Sequence, residues 1–261
     1  MVTAHPSALA RAVLAPNPGP MTLDGTNSYV VRAPGSGSVV IVDPGPGDAD
    51  HIDALMASGS VKLILITHFH GDHTEASAEL HERSGAPVRA LDPAFCIGGD
   101  PLVDGEEITA AGVRITAVTT PGHTADSVCF VLPDDGPFGS ILTGDTLLGR
   151  GTTVIARPDG NLGDYLDSLD RLRNLDAMTV RPGHGPAVPN LHEISSRYLQ
   201  HRLQRLDEVR TARRVLGARA NVGSITDTVY PDVDASVRCA AEDSVEAQLA
   251  YLDSAGDDVT L

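Results

Sequence analysis

The sequence predicts an α/β protein, and three observations carry that expectation. Short runs rich in Val, Ile and Leu recur through residues 1–190. Helical patterns stand between several of them, with apolar residues at i, i+3 and i+4. Clusters of Gly, Pro, Asp and Asn separate these elements and set where each must stop.

Taken in order, the first third reads as a β meander. Ala12-Val-Leu14 precedes the turn cluster Asn17-Pro-Gly-Pro20, and residues 27–32 and 38–43 read as strands around Pro34-Gly-Ser-Gly37. Pro44-Gly-Pro-Gly47 breaks the second strand; residues 48–58 then carry acids in a first turn and Ile52, Leu55 and Met56 on one helical face. Residues 62–66 form a short apolar run bounded by polar residues, the mark of a buried strand. Thr74 is placed to cap a helix over 75–83. Strands are predicted at 88–91, 113–119, 128–132 and 140–142, and a helix capped by Asp164 presents Tyr165, Leu166, Leu169 and Leu172. Residues 178–181 make a last short strand.

Past Pro189 the character changes. Residues 191–217 hold one long helical pattern, with Leu199, Leu203, Leu206, Val209 and Leu216 in an apolar arc ended by Gly217. Helical pieces follow around 224–230 and 235–254, and residues 256–261 read as a brief strand. The expected division is therefore 1–190 and a C-terminal module, 191–261, too small to hold much core alone and docked on the first part.

Composition narrows the class. A formal charge of −16 and 21% charged residues keep the chain soluble and, averaged over the surface, repel nucleic acid and anionic membranes. Aromatic residues are only 3%, with no Trp, so aliphatic side chains must build the core. Three well-separated cysteines without a Cys-x-x-Cys pair suit a reducing cytosol better than a disulfide framework. No secretion signal and no membrane-length apolar run is read, so a cytoplasmic location is expected.

The chemistry concentrates where the strand at 62–66 ends, in Thr67-His68-Phe-His70-Gly-Asp72-His73. Imidazole and carboxylate suit zinc and its first-row neighbours, and Gly71 and Asp72 turn the chain so that these groups can converge. Three later fragments share a design: Gly122-His123-Thr124, Gly144-Asp145 and Gly183-His184 each put a ligand directly after Gly at a strand exit. Gly permits a sharp turn or a close backbone approach there. Together they offer seven donors, enough for two metals with three private ligands each and one shared. Asp145 is the natural shared ligand, since each carboxylate oxygen can hold one ion. His5, His51, His81, His192 and His201 lack such context and read as surface residues. Ser127 and Cys129 read as structural.

These motifs resemble the metallo-β-lactamase superfamily over roughly residues 10–190. The resemblance implies an αββα sandwich of two mixed sheets flanked by helices, with a binuclear site at one edge. It implies two zinc ions, or other first-row divalent metals: one on His68, His70 and His123, the other on Asp72, His73 and His184, with Asp145 between them. Asp43 matches a position that supports the ligand loops, and reads equally as a strand-ending turn aspartate. Asp72 and Asp145 are the residues assigned to catalysis, with metal-held hydroxide as the nucleophile attacking an ester, thioester or phosphodiester.

Three substrates follow from resemblance. The flanking stretches at 17–29, 144–153, 164–169 and 182–186 resemble the β-lactamase-like protein 2 family, which includes an endoribonuclease on single-stranded RNA and carries a C-terminal winged-helix module. A glyoxalase II-like thioesterase uses the same seven donors. True zinc β-lactamases generally lack the bridging aspartate, so Asp145 counts against them. Arg197, Arg202, Arg205, Arg210, Arg213, Arg214 and Arg219 load the long helix with positive charge, pointing in several directions as on an ion-paired, solvated helix. A small acyl substrate and single-stranded RNA rank level, no membrane partner is expected, and a non-catalytic binding module is the least favoured reading.

Overall fold

The computed structural model describes residues 6–217 and 219–255. Its first sheet has the order β1 (Ala10–Leu14), β2 (Asn27–Val31), β3 (Ser38–Val42), β4 (Ser60–Leu65), β5 (Val88–Arg89). The second runs β10 (Thr179–Pro182), β9 (Ser140–Gly144), β8 (Val128–Leu132), β7 (Val113–Thr119), β6 (Glu107–Ala110). Both are mixed: β3 to β5 are parallel neighbours in one and β9 and β10 in the other, while the remaining pairs are antiparallel.

Side chains alternate faces along a strand, and that period builds the layers. Val40, Val42, Leu63 and Leu65 point inward and meet Ile115, Ala117, Phe130 and Leu142 of the other sheet. Their neighbours Val39, Ile41, Ile64 and Ile66 point outward. Helices follow in the order α1 (Ala49–Met56), α2 (Gly71–Thr74), α3 (Ser77–Ser84), α4 (Leu162–Arg173), α5 (Leu191–Leu216), α6 (Val222–Val229) and α7 (Arg238–Ser254). Ile52 and Leu55 of α1 and Leu80 of α3 cover the outer face of the first sheet. Tyr165, Leu169 and Leu172 of α4, with Leu191, Ile194 and Tyr198 of α5, cover the second. The result is the αββα sandwich that the resemblance implied.

Several local expectations shift. Asn161, not Asp164, caps α4: its side chain accepts from the Asp164 N–H, so the helix starts earlier. Thr74 caps nothing; its hydroxyl donates to the carbonyls of Phe69 and His70 while the chain turns through α2, and α3 begins at Ser77. On α5, Leu203 and Leu216 are exposed, and the buried face instead carries Tyr198, Arg202, Leu206 and Val209. Strand β6 was not foreseen. The expected strand at 256–261 lies outside the described residues.

After Pro189 the described elements are helices, and the wing strands of a winged helix are not among them. One hydrophobic cluster runs from Ile141 and Val180 of the second sheet through α4 and α5 to Ile225, Val245 and Leu252 of the module. At the sandwich end holding Leu132, Asp135 accepts from Ser7 Oγ (2.6 Å), the Ala8 N–H (2.9 Å) and Ser140 Oγ (2.5 Å), clasping the sheets together.

Candidate metal centre

The opposite end of the sandwich is where β3, β4, β7, β9 and β10 all terminate, and each delivers polar groups there. His68 follows β4; His70 sits before α2, and Asp72 and His73 ride on its single turn. His123 leaves the loop after β7, Asp145 follows β9 directly, and His184 follows β10. All seven residues singled out from the sequence converge. They form three overlapping groups (His68, His70, His123; His68, His73, Asp145; Asp72, His73, His184) whose donor atoms lie within 4.8 Å of one another.

The contacts are nitrogen to nitrogen as well as nitrogen to oxygen. His70 Nδ1 lies 3.0 Å from His68 Nε2 and 3.2 Å from His123 Nε2. His184 Nε2 lies 3.4 Å from His73 Nε2 and 3.3 Å from Asp72 Oδ2. Asp145 faces both ways: Oδ1 is 3.3 Å from His184 Nε2, and Oδ2 is 3.8 Å from His123 Nε2. Asp145 Oδ1 is buried and makes no hydrogen bond.

Four imidazoles are fixed by their far nitrogens. His73 Nδ1 donates to Asp43 Oδ2 (2.8 Å), His123 Nδ1 to the Val154 carbonyl (2.6 Å), His184 Nδ1 to the Gly25 carbonyl (3.2 Å) and His68 Nδ1 to Thr67 Oγ1 (3.0 Å). These acceptors select the tautomer that leaves Nε2 facing the cluster, the arrangement by which outer partners orient metal-binding histidines. Asp43 does this twice, since Thr67 Oγ1 donates onward to its Oδ2 (2.7 Å) and the Thr67 N–H to its Oδ1 (2.8 Å). Its backbone holds φ of 53°, an uncommon left-handed conformation for a side-chain-bearing residue. Asp43 is thus a support of the ligand loop and not merely a turn former.

Two glycines are required by close approach. A Cβ at Gly183 would stand 2.6 Å from Asp145 Oδ1 and 2.8 Å from His73 Cε1. At Gly122, where φ is 140°, it would lie 2.4 Å from Tyr165 Cα.

Electrostatics divide the cluster. Burial keeps His68 and His123 below the ordinary imidazole range and takes His70 to about 4, so this trio is uncharged with lone pairs available. Burial also opposes charge on His73 and His184, but the carboxylates of Asp43, Asp145 and Asp72 outweigh it around His73, and those of Asp145 and Asp72 around His184. They rise to about 9 and about 10. Burial raises Asp72 and Asp145, yet the neighbouring imidazoles hold both well below the usual carboxylate range. An unpartnered buried carboxylate oxygen and a ring of inward-facing imidazole nitrogens fit divalent first-row cations.

The sequence reading missed several participants. Thr26 Oγ1 donates to Asp72 Oδ2 (2.9 Å), and Asn27 spans to the His184 loop, its amide donating to the carbonyls of Pro182 and Gly185. The 17–29 stretch stood out as a resemblance, without roles for its residues. His51 is buried against Ser28 Oγ (2.8 Å), and His201 lines a cavity beside the cluster, so neither is a plain surface residue; His5 lies outside the described residues. Ser127 and Cys129 are buried, Ser127 Oγ lying 2.7 Å from Thr124 Oγ1, and burial pushes the Cys129 thiol up to about 11.

The fold and this cluster define a metal-dependent hydrolase. A family model described as the metallo-beta-lactamase superfamily matches residues 21–184, and the chain belongs to that superfamily. Among its relatives, the beta-lactamase-like protein 2 homolog of Caenorhabditis elegans is 32% identical over 256 residues, spanning 92% of this chain and 82% of that protein. An atrochrysone carboxyl ACP thioesterase of Aspergillus chevalieri is 35% identical over 226 residues, 82% of this chain and 69% of that one. A metallo-beta-lactamase family protein from Thermus thermophilus shares the fold, with a TM-score of 0.78 at 24% identity and coverage of 95% and 94%.

Proposed function

We propose that the chain is a binuclear zinc hydrolase acting on a thioester or related acyl substrate. The observation that carries this reading is Asp145, whose two oxygens face the two halves of the cluster. His68, His70 and His123 would hold one ion and Asp72, His73 and His184 the other, with Asp145 available to both. Bound cations supply activated water at neutral pH and draw charge from the electrophile. The chain's own work is to fix that geometry: Asp43, Thr67, Val154 and Gly25 lock the imidazoles, so little reorganisation accompanies reaction. Cys129, buried and held as a thiol, is no competing nucleophile.

The acyl reading over RNA draws support from the thioesterase relative and from charge. Arg205, Arg210 and Arg213 are paired with Glu208, Asp207 and Asp253, which removes much of the phosphate attraction of the long helix. Among the described residues no helix is long and apolar enough to cross a membrane. Three free cysteines support a reducing, cytoplasmic setting. The test combines metal analysis with a side-by-side assay of S-lactoylglutathione, single-stranded RNA and nitrocefin. The reading expects close to two ions per chain, thioester turnover, and its loss in Asp145→Ala with the fold retained. One ion per chain, or turnover that survives Asp145→Ala, overturns it; RNA cleavage lost on chelation would instead establish the nuclease.

A further inference from the structure

Two cavities open from the cluster, and their charged residues are of opposite sign. The larger, about 380 Å3, lies between the cluster and the C-terminal helices and is reached by His123 and Asp145. It is lined by Arg150, Arg202 and Arg205, and its one carboxylate is Asp145 of the cluster itself. The smaller, about 140 Å3, starts from His70 and His123 and is lined by Met21, Val154, Ala156 and Ala240. Its charged residues are Asp159 and Asp243.

The arginines differ in what already neutralises them. Arg150 is held by both oxygens of Asp24 (2.7 and 2.9 Å). Arg205 pairs with Glu208 (2.6 Å) and lies over the Tyr230 ring. Arg202 is 4% exposed, lies over the Tyr165 ring and donates to the Thr153 carbonyl, yet its Nε is buried without a hydrogen bond. A guanidinium kept this far from water needs an anion, and no carboxylate but Asp145 lines the cavity around it.

We propose, resting on the thioester reading above, that the two cavities sort the substrate by charge. Arg202 takes an anionic thiol arm in the larger cavity, assisted by Arg205 as it exchanges its Glu208 pairing for the ligand, and an uncharged acyl group occupies the smaller one between Asp159 and Asp243. Hydrolysis adds water oxygen to the acyl carbon and breaks the C–S bond. Sulfur leaves with the electron pair, takes up one proton to give the thiol, and the acid formed loses another. A polyanion threaded through both cavities would meet Asp159 and Asp243, so the same arrangement disfavours RNA.

The test uses the metal-loaded full chain and acetyl thioesters of coenzyme A, glutathione and N-acetylcysteamine, whose arms carry phosphates, carboxylates and no charge. One anionic thioester should exceed the neutral one in kcat/KM by about tenfold or more, the worth of one charge-assisted hydrogen bond. Arg205→Gln, at a partly exposed position, should lower that ratio through KM with the melting temperature checked beside it. Binding of dethio-coenzyme A and of S-methylglutathione to metal-free protein gives a second readout, weakened by Arg205→Gln for whichever arm is preferred. Asp243→Asn should improve hydrolysis of a succinyl thioester relative to the acetyl one. Equal kcat/KM for charged and neutral arms, or a ratio unmoved by Arg205→Gln, overturns the sorting while leaving the hydrolase reading intact. Failure to hydrolyse any of the three removes both.

Discussion

At the scale of single residues, one carboxylate governs more of the centre than its position suggests. Asp43 fixes His73 directly and His68 through Thr67, so it steadies an imidazole in each half of the cluster. Asp43→Asn should weaken metal affinity about 10–100-fold, measured by competition with a chromophoric chelator, and in the proposed two-ion centre both sites should be affected. The seven converging residues were legible in the sequence because each lies within two positions of another or directly after a glycine. Asp43 was only half legible, because a strand-ending Asp before Pro and Gly reads equally well as a turn. The pH response should be uneven. His73 and His184 have pKa values raised above the unfolded one, to about 9 and about 10, so without cations their protonation stabilises the fold below the ordinary histidine range. That contribution is lost as pH rises through those values. The same protons compete with metal, whereas His68, His70 and His123 are already uncharged. If two ions bind as proposed, dialysis at falling pH followed by metal analysis should show the one assigned to Asp72, His73 and His184 leaving first; simultaneous loss of both would contradict this electrostatic division.

Among the elements, the long helix α5 does more than cover the second sheet. Tyr198 Oη accepts from the Leu148 N–H (3.1 Å) and donates to the Gly151 carbonyl (3.0 Å), and Arg202 holds Thr153, next to the Val154 carbonyl that orients His123. The helix therefore braces the segment that follows Asp145. Tyr198→Phe leaves a buried N–H unpaired and should cost about 1–3 kcal/mol in denaturant unfolding, with a parallel loss of activity. Strands with strong β-branched runs, such as β3 and β7, were readable from pattern alone. Strand β6, four residues long, offers too few alternations to register. The buried face of α5 was misread because Tyr198 and Arg202 look like surface residues until a partner for each is in place. Helix starts at Leu162 and Ser77 moved for a related reason: the side chain that caps, or fails to, is decided by the preceding loop.

For the whole molecule, an α/β class was legible from the pattern of strands and helices and the αββα layering through the family resemblance, while the module expected from residue 191 packs directly on the second sheet. The cluster that packs the second sheet continues without a break into α6 and α7. A chain ending at residue 190 should expose that face and aggregate, checked by light scattering of the truncated protein; a monodisperse, cooperatively unfolding fragment would refute it. The two ends of the sandwich are also secured by different means. At one end Asp135 clasps residues 7–8 and Ser140 with ordinary hydrogen bonds. At the other, His68, His70, Asp72 and His73 come from the first sheet and His123, Asp145 and His184 from the second. Cations bound there as proposed would act as sutures across the seam between sheets, and cohesion at that end would become a matter of mass action, rising with free metal as ligand-linked stability must. Chelation should lower the melting temperature and raise amide exchange around Thr67, Gly144 and Gly183, while Val31 and Leu132 near the Asp135 clasp keep their protection. The sandwich would then open like a book held shut at its spine, the hinge lying farthest from the metals.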